Sequence, residues 1–233
     1  MEECFVQARQ AGKRIAGLSD DLRNDVLRAV ADELVASREE LLQANAQDLA
    51  RMDPASPLYD RLMLTEARID AIAADMRSVA SLPSPLGRVL LDRVLPNGLR
   101  LRKVAVPFGV IGVIYEARPN VTLDVFSLCF KSGNACVLKG GKDAADSNRA
   151  AVGIIRRVLT RLGVPPAAAT LLPATHEAAN ALGRPVPCAR RVPGPFRRLS
   201  RSGSRAPDKP ARKKLRQARD ERYRRRGGTS RLP

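Results

Sequence analysis

The chain has 233 residues, 44% hydrophobic and 28% charged, with 41 Lys and Arg against 24 Asp and Glu and a formal net charge of +17. It contains no run of about 18 apolar residues, and its start, Met1-Glu2-Glu3-Cys4, is acidic rather than the basic lead of a secretory signal, so a cytoplasmic protein without a membrane span is expected. Cys4, Cys129, Cys136 and Cys188 fall at spacings that match no zinc ligand set, and His176 stands alone, which argues against a metal site or a disulfide framework.

The charge is unevenly spread. Residues 182–233 hold 18 Lys and Arg against 3 Asp and Glu, whereas residues 1–181 hold 23 against 21. The first piece has the composition of an ordinary globular protein with a core. The Arg/Pro-rich tail, 183–233, has too few apolar side chains to offset the entropy of ordering it, and is expected to be disordered. Its Arg197–Arg226 stretch would bind nucleic acid through phosphates, nonspecifically and with steep salt dependence; a merely solvated charge run is the alternative.

In chain order, the first 80 residues predict amphipathic helices. Ser19 is a candidate N-cap, with Leu22, Val26, Val30 and Leu34 on one face behind it. Ser37 and Glu40 have capping-box spacing for the next helix, which carries Leu41, Leu42 and Leu49. Thr65-Glu66 opens a third, with Ile69, Ile72, Ala73, Met76 and Ala80 at helical spacing. Pro83, Pro85 and Gly87 then break the pattern, and Arg88–Leu95 and Leu99–Val106 flank Pro96-Asn97-Gly98, a hairpin signal.

From Val110 the pattern reads strand (Val110–Tyr115), helix (Val121–Lys131), strand (Ala135–Lys139), helix (Ala145–Leu162) and strand (Ala169–Leu172), with Gly133 and Gly163 where helix C-caps are wanted. This βαβαβ order is half of a doubly wound nucleotide-binding sheet. A further helix starts at Thr175 and runs into Gly183, Pro185 and Pro187, so the sheet reads as incomplete. Three regions follow: a helical segment with its hairpin (1–106), a partial dinucleotide-binding unit (107–182) and the tail (183–233).

Two loops lie where parallel strands end, the place this architecture binds ligands. In Lys139-Gly140-Gly141, an ammonium sits beside backbone that a phosphate or ribose can approach; a solvated loop lysine is the plainer reading. Asn120 could aim its amide at an oxyanion, or simply cap the helix that follows. Cys4, Cys129 and Cys136 read as buried filler, and Cys188, with Arg190 and Arg191 near it, has nothing to position it in a disordered tail.

The run from Val106 to Thr122, including Tyr115-Glu116-Ala117-Arg118-Pro119-Asn120, resembles the signature of the gamma-glutamyl phosphate reductase family. Lys131-Ser132-Gly133-Asn134-Ala135, Leu138-Lys139-Gly140-Gly141, Asp146-Ser147-Asn148-Arg149, Asp48-Leu49-Ala50, Tyr59-Asp60-Arg61-Leu62 and Pro96-Asn97-Gly98-Leu99 extend the likeness from near the N-terminus to about Leu182.

The resemblance implies an aldehyde-dehydrogenase-like α/β fold: N-terminal helices plus an incomplete doubly wound parallel sheet, with the basic tail outside it. It implies NADPH-dependent reduction of L-glutamyl 5-phosphate to L-glutamate 5-semialdehyde for proline synthesis. Lys139, Gly140 and Gly141 would contact the ribose or 2′-phosphate of NADP, Arg118 and Pro119 would line the cofactor groove, and Asn120 would be the oxyanion donor. Homo-oligomer formation stays open, as do an inactive cofactor-binding fragment and a nucleic-acid-binding tail. The family's cysteine nucleophile belongs to a separate catalytic domain, and no residue here matches its motif. The tail is expected to be family coding sequence read out of frame, with a genuine basic extension as the rival.

Overall fold

The computed structural model describes residues 1–116 and 118–183. Five helices come first: α1 (Glu2–Ala16), α2 (Asp20–Ala36), α3 (Arg38–Leu49), α4 (Tyr59–Leu62) and α5 (Glu66–Ser81). The antiparallel hairpin β1 (Val89–Val94) and β2 (Arg100–Val104) follows. Then come β3 (Val110–Ile114), α6 (Pro119–Lys131), β4 (Ala135–Lys139), α7 (Ala145–Arg161), a 3-10 turn at Pro166–Ala168, β5 (Ala169–Leu171) and α8 (His176–Gly183). The calls on the tail, including its disorder, Cys188 and the shifted frame, lie outside the described residues.

Local signals explain three of the helix starts. The Ser19 hydroxyl accepts from the Leu22 N–H and the Thr65 hydroxyl from the Arg68 N–H, both at 3.2 Å. Thr175 Oγ1 does the same for the Ala178 N–H at the head of α8. The capping box expected at Ser37 does not form. Ser37 accepts instead from the Arg157 guanidinium, and Glu40 bonds the same guanidinium at 2.7 and 3.1 Å, so both side chains tie α3 to α7.

In the hairpin turn, Gly98 takes φ +80° and donates to the Leu95 carbonyl, while no non-glycine residue among those described has positive φ. The turn is therefore a three-residue loop closed by a left-handed glycine, and not the two-residue mirror-image type. Gly133 and Gly163 end α6 and α7 at φ +75° and +68°, as their positions predict.

The strands β3, β4 and β5 form one parallel sheet in that order, with Val110 opposite Ala135 and Cys136 opposite Ala169. Central β4 is buried on both faces. Cys136 and Leu138 join the main core with Phe126 and Phe130 of α6, Ile154, Ile155 and Val158 of α7, and Val26, Leu27, Ile69 and Met76 of α2 and α5. Val137, on the opposite face by the two-residue period of a strand, packs with Ala8 of α1 and Ala178 of α8. The early helices thus share one core with the sheet. Strand β3, expected to be buried, is half exposed, and Ile114 is 54% accessible, because it pairs on one side only.

Two polar ties fix the helices around that core. Lys131, 4% exposed, donates to Asn24 at 2.5 Å, to both Asp20 carboxylate oxygens at 3.2 and 3.3 Å, and to the Ala80 carbonyl, linking α6 to α2 and α5. Burial pushes the Asp20 carboxyl up, but the hydrogen bonds from Lys131 and Asn24 outweigh it and hold the group below its ordinary value. The fully buried Asp48 carboxylate, on α3, accepts the Asp146 and Ser147 N–H groups and the Ser147 hydroxyl, and so caps α7 from a different element. No helix among the described residues is long and apolar enough to cross a membrane.

Candidate functional site

Because β3 and β4 are parallel and in register, their carboxyl ends are neighbours: Ile114 is opposite Lys139, and the Tyr115 N–H donates to the Lys139 carbonyl at 3.1 Å. The chain leaving β3 enters α6 through Arg118 as N-cap residue and Pro119 at the first helical position, where its missing N–H costs nothing. Asn120 is therefore inside the first turn and does not cap the helix. Its half-buried side chain lines a cleft of about 350 Å³ with Arg118, Pro119 and Asp124 of the same helix and with Arg61 and Asp75 from α4 and α5.

Lys139 ends β4 half buried, and Gly140 and Gly141 follow it into a second recess of about 480 Å³. Gly140, Gly141, Ala145 and Gly153 leave it open on one side, Leu171, Leu172 and Pro173 line the other, and Arg149 and Arg156 stand among its lining residues. The structure so divides the expected residues between two recesses. Arg118, Pro119 and Asn120 share one; Gly140 and Gly141 line the other, next to Lys139.

A buried chain of hydroxyl and amide groups connects the elements that carry them. Tyr115 Oη and Thr122 Oγ1 are 2.5 Å apart, and Thr122 Oγ1 donates to Asn148 Oδ1 at 2.7 Å. Burial raises the Tyr115 phenol above its ordinary value, more than the Thr122 hydrogen bond lowers it; because Thr122 gives its one proton to Asn148, the phenol is the donor of that pair. Asn148 Nδ2 is buried with no partner among the described residues and lies against Gly140, where any Cβ would collide with it. Sequence reasoning singled out neither Asn148 nor Thr122 as a site residue. Asn148 stands one helical turn inside α7, and its contact with Gly140 becomes visible only once β4 and α7 are packed.

Cys129 and Cys136 suit no nucleophile. Burial pushes Cys129 up to about 11, and pushes Cys136, on the central strand, higher still. Both are core residues, as expected, but Cys4 is half exposed on α1 and is not filler.

Solved aldehyde dehydrogenases share this arrangement of elements. An acetylating aldehyde dehydrogenase from Geobacillus thermoglucosidasius matches at TM-score 0.61 and 16% identity over 77% of this chain and 38% of its own. PnpE in complex with nicotinamide adenine dinucleotide matches at 0.59 and 20% over 77% and 34%. The helices and parallel sheet described above thus make an aldehyde-dehydrogenase-like fold.

Sequence similarity narrows this further. Proteins named gamma-glutamyl phosphate reductase from Parabacteroides distasonis and Bacteroides thetaiotaomicron are 61% and 58% identical over 178 residues, 76% of this chain and 43% of theirs. The crystal structure of the enzyme of that name from Thermotoga maritima matches at TM-score 0.74 and 33% identity over 78% of this chain and 45% of its own. The chain belongs to the gamma-glutamyl phosphate reductase family and spans less than half the length of these relatives. No family model matches it.

Proposed function

We propose that the chain serves the NADPH-dependent reduction of L-glutamyl 5-phosphate to L-glutamate 5-semialdehyde and phosphate, as the part that holds the nucleotide and polarises the acyl group. The observation that carries this reading is the register of β3 and β4, which sets Lys139-Gly140-Gly141 and the loop leading to Asn120 on adjacent strand ends of one parallel sheet.

The recess beside Gly140 fits a dinucleotide. Gly140, Gly141 and Gly153 leave room for a flat base against the apolar Leu171, Leu172 and Pro173, and Asn148 Nδ2 is a buried donor without an acceptor among the described residues. Lys139 supplies a cation for a ribose 2′-phosphate, the group that distinguishes NADP from NAD. Arg118 and Pro119, exposed and buried respectively at the head of α6, line the cleft of Asn120 and would face the reacting end of the cofactor there. The bound cofactor supplies the hydride. Asn120 Nδ2 donates to the acyl oxygen as negative charge develops on it, an interaction worth about 3 kcal/mol in other such sites. With Cys129 and Cys136 buried and protonated, the described residues bind and polarise, and the nucleophilic thiol is not among them. The same reading carries a cytoplasmic location and a homo-oligomer, for which the uncovered hairpin offers apolar surface.

Titration of NADPH into the purified chain, followed by cofactor fluorescence, tests the proposal. Saturable binding is expected, weakened in Lys139→Ala more for NADPH than for NADH, with no semialdehyde formed from the acyl phosphate. A folded chain that ignores NADPH overturns the cofactor reading, and turnover overturns the assignment of the thiol elsewhere.

A further inference from the structure

The cleft beside Asn120 contains charged groups for which the nucleotide gives no use. Asp124 of α6 is half buried, Asp75 of α5 faces the same cleft, and neither carboxylate has a hydrogen bond or ion pair among the described residues. Arg61 of α4, exposed at its rim, also lines it without an ion pair among those residues. Arg68 and Asp60 there are already matched: Arg68 donates to the Asp60 and Met63 carbonyls and to the Asp60 carboxylate. A mixed set of unmatched anions and a cation around a neutral amide is complementary to a zwitterion.

We propose that this cleft holds the amino-acid head of the substrate, with Asp124 accepting from the α-ammonium, Asp75 reinforcing its field, and Arg61 donating to the α-carboxylate. The assignment rests on the reading of Asn120 as the donor to the acyl oxygen. Asn120 and Asp124 stand four residues apart on α6, so they share one face with their Cβ atoms about 5–6 Å apart. A glutamyl chain places its α-carbon roughly 4 Å from the acyl carbon when extended. One helical turn therefore measures the substrate: amide at the reacting end, carboxylate at the ammonium end. Burial, and next the neighbouring Asp75 charge, raise the Asp124 carboxyl above the ordinary aspartate range, the cost of keeping an anion there without its cation. A glutaryl chain, which lacks the ammonium, would leave that cost in place.

The experiment uses the full chain and three probes, L-glutamate, glutarate and NADPH, in separate calorimetric titrations. L-glutamate is expected to bind saturably, and glutarate at least about tenfold more weakly, as for loss of one charge-assisted hydrogen bond. Asp124→Asn, which keeps the side-chain shape, should lose L-glutamate by a similar factor, keep NADPH affinity, and melt no lower than the parent chain. Arg61→Ala should weaken L-glutamate and glutarate alike. Equal binding of L-glutamate and glutarate, no saturable L-glutamate binding, or an Asp124→Asn chain that binds L-glutamate unchanged overturns the assignment. Loss of NADPH binding by the parent chain with L-glutamate binding kept would sink the cofactor reading and leave this one standing.

Discussion

Strand β4 and the hairpin β1–β2 both carry apolar side chains and meet opposite fates, although the hairpin interleaves its own with Asp92, Arg93, Arg100, Arg102 and Lys103 while β4 is apolar up to Lys139. From Ala135 to Leu138 every residue of β4 is buried, whereas every residue of both hairpin strands is exposed, with Val94 67% and Leu90 53% accessible. Strand propensity and hydrophobicity set the backbone in both places; only β4 has α6, α7 and α1 to cover it. Hydrophobic sequence predicts a strand, and neighbours decide whether that strand stabilises the fold.

Substitutions can break or sharpen this contrast. The largest effect is expected around β4: Phe130→Ala removes a fully buried ring stacked 5.3 Å from Phe126 and should cost about 3–5 kcal/mol in chemical denaturation. Asp48→Ala comes next. It leaves the Asp146 and Ser147 N–H groups without their acceptor and should cost about 2–3 kcal/mol, with Asp48→Asn recovering part of it.

A pH series tests the Lys131 tie. The folded Asp20 carboxyl lies below its ordinary value, so its contribution is present above about pH 4 and is lost as pH falls through the lower folded value. Thermal melts of Lys131→Met should lose that portion of the acid sensitivity. The smallest effect is expected in the hairpin: Leu90→Ser should change stability by no more than about 0.5 kcal/mol. A cost there equal to that at Phe130 would mean that the hairpin is covered, and the contrast would fail.

What the sequence makes legible is local. Ser19, Thr65 and Thr175 cap the helices they precede, Gly98 closes the hairpin, and Lys139-Gly140-Gly141 ends a buried strand, because each depends on residues within one turn. The capping box at Ser37 fails because its two side chains answer to Arg157, over a hundred residues away. Asn120 is read as the residue before the helix, two positions from its place in the first turn, because Pro119 starts the helix ahead of it. Asp124 was within reach of sequence reasoning: a carboxylate four residues after Asn120 on one helix face is a pattern that spacing alone displays. Asp75 and Asn148 were not, since only packing brings them to their recesses.

The clasp of Asp48 on the head of α7 has a kinetic consequence. Acceptor and donors are separated by 98 and 99 positions, so a ribosome releases the carboxylate long before the amides that satisfy it. Until Asp146 and Ser147 emerge, Asp48 has only Arg51, three residues on, to answer its charge, and its complete burial has to wait for α7.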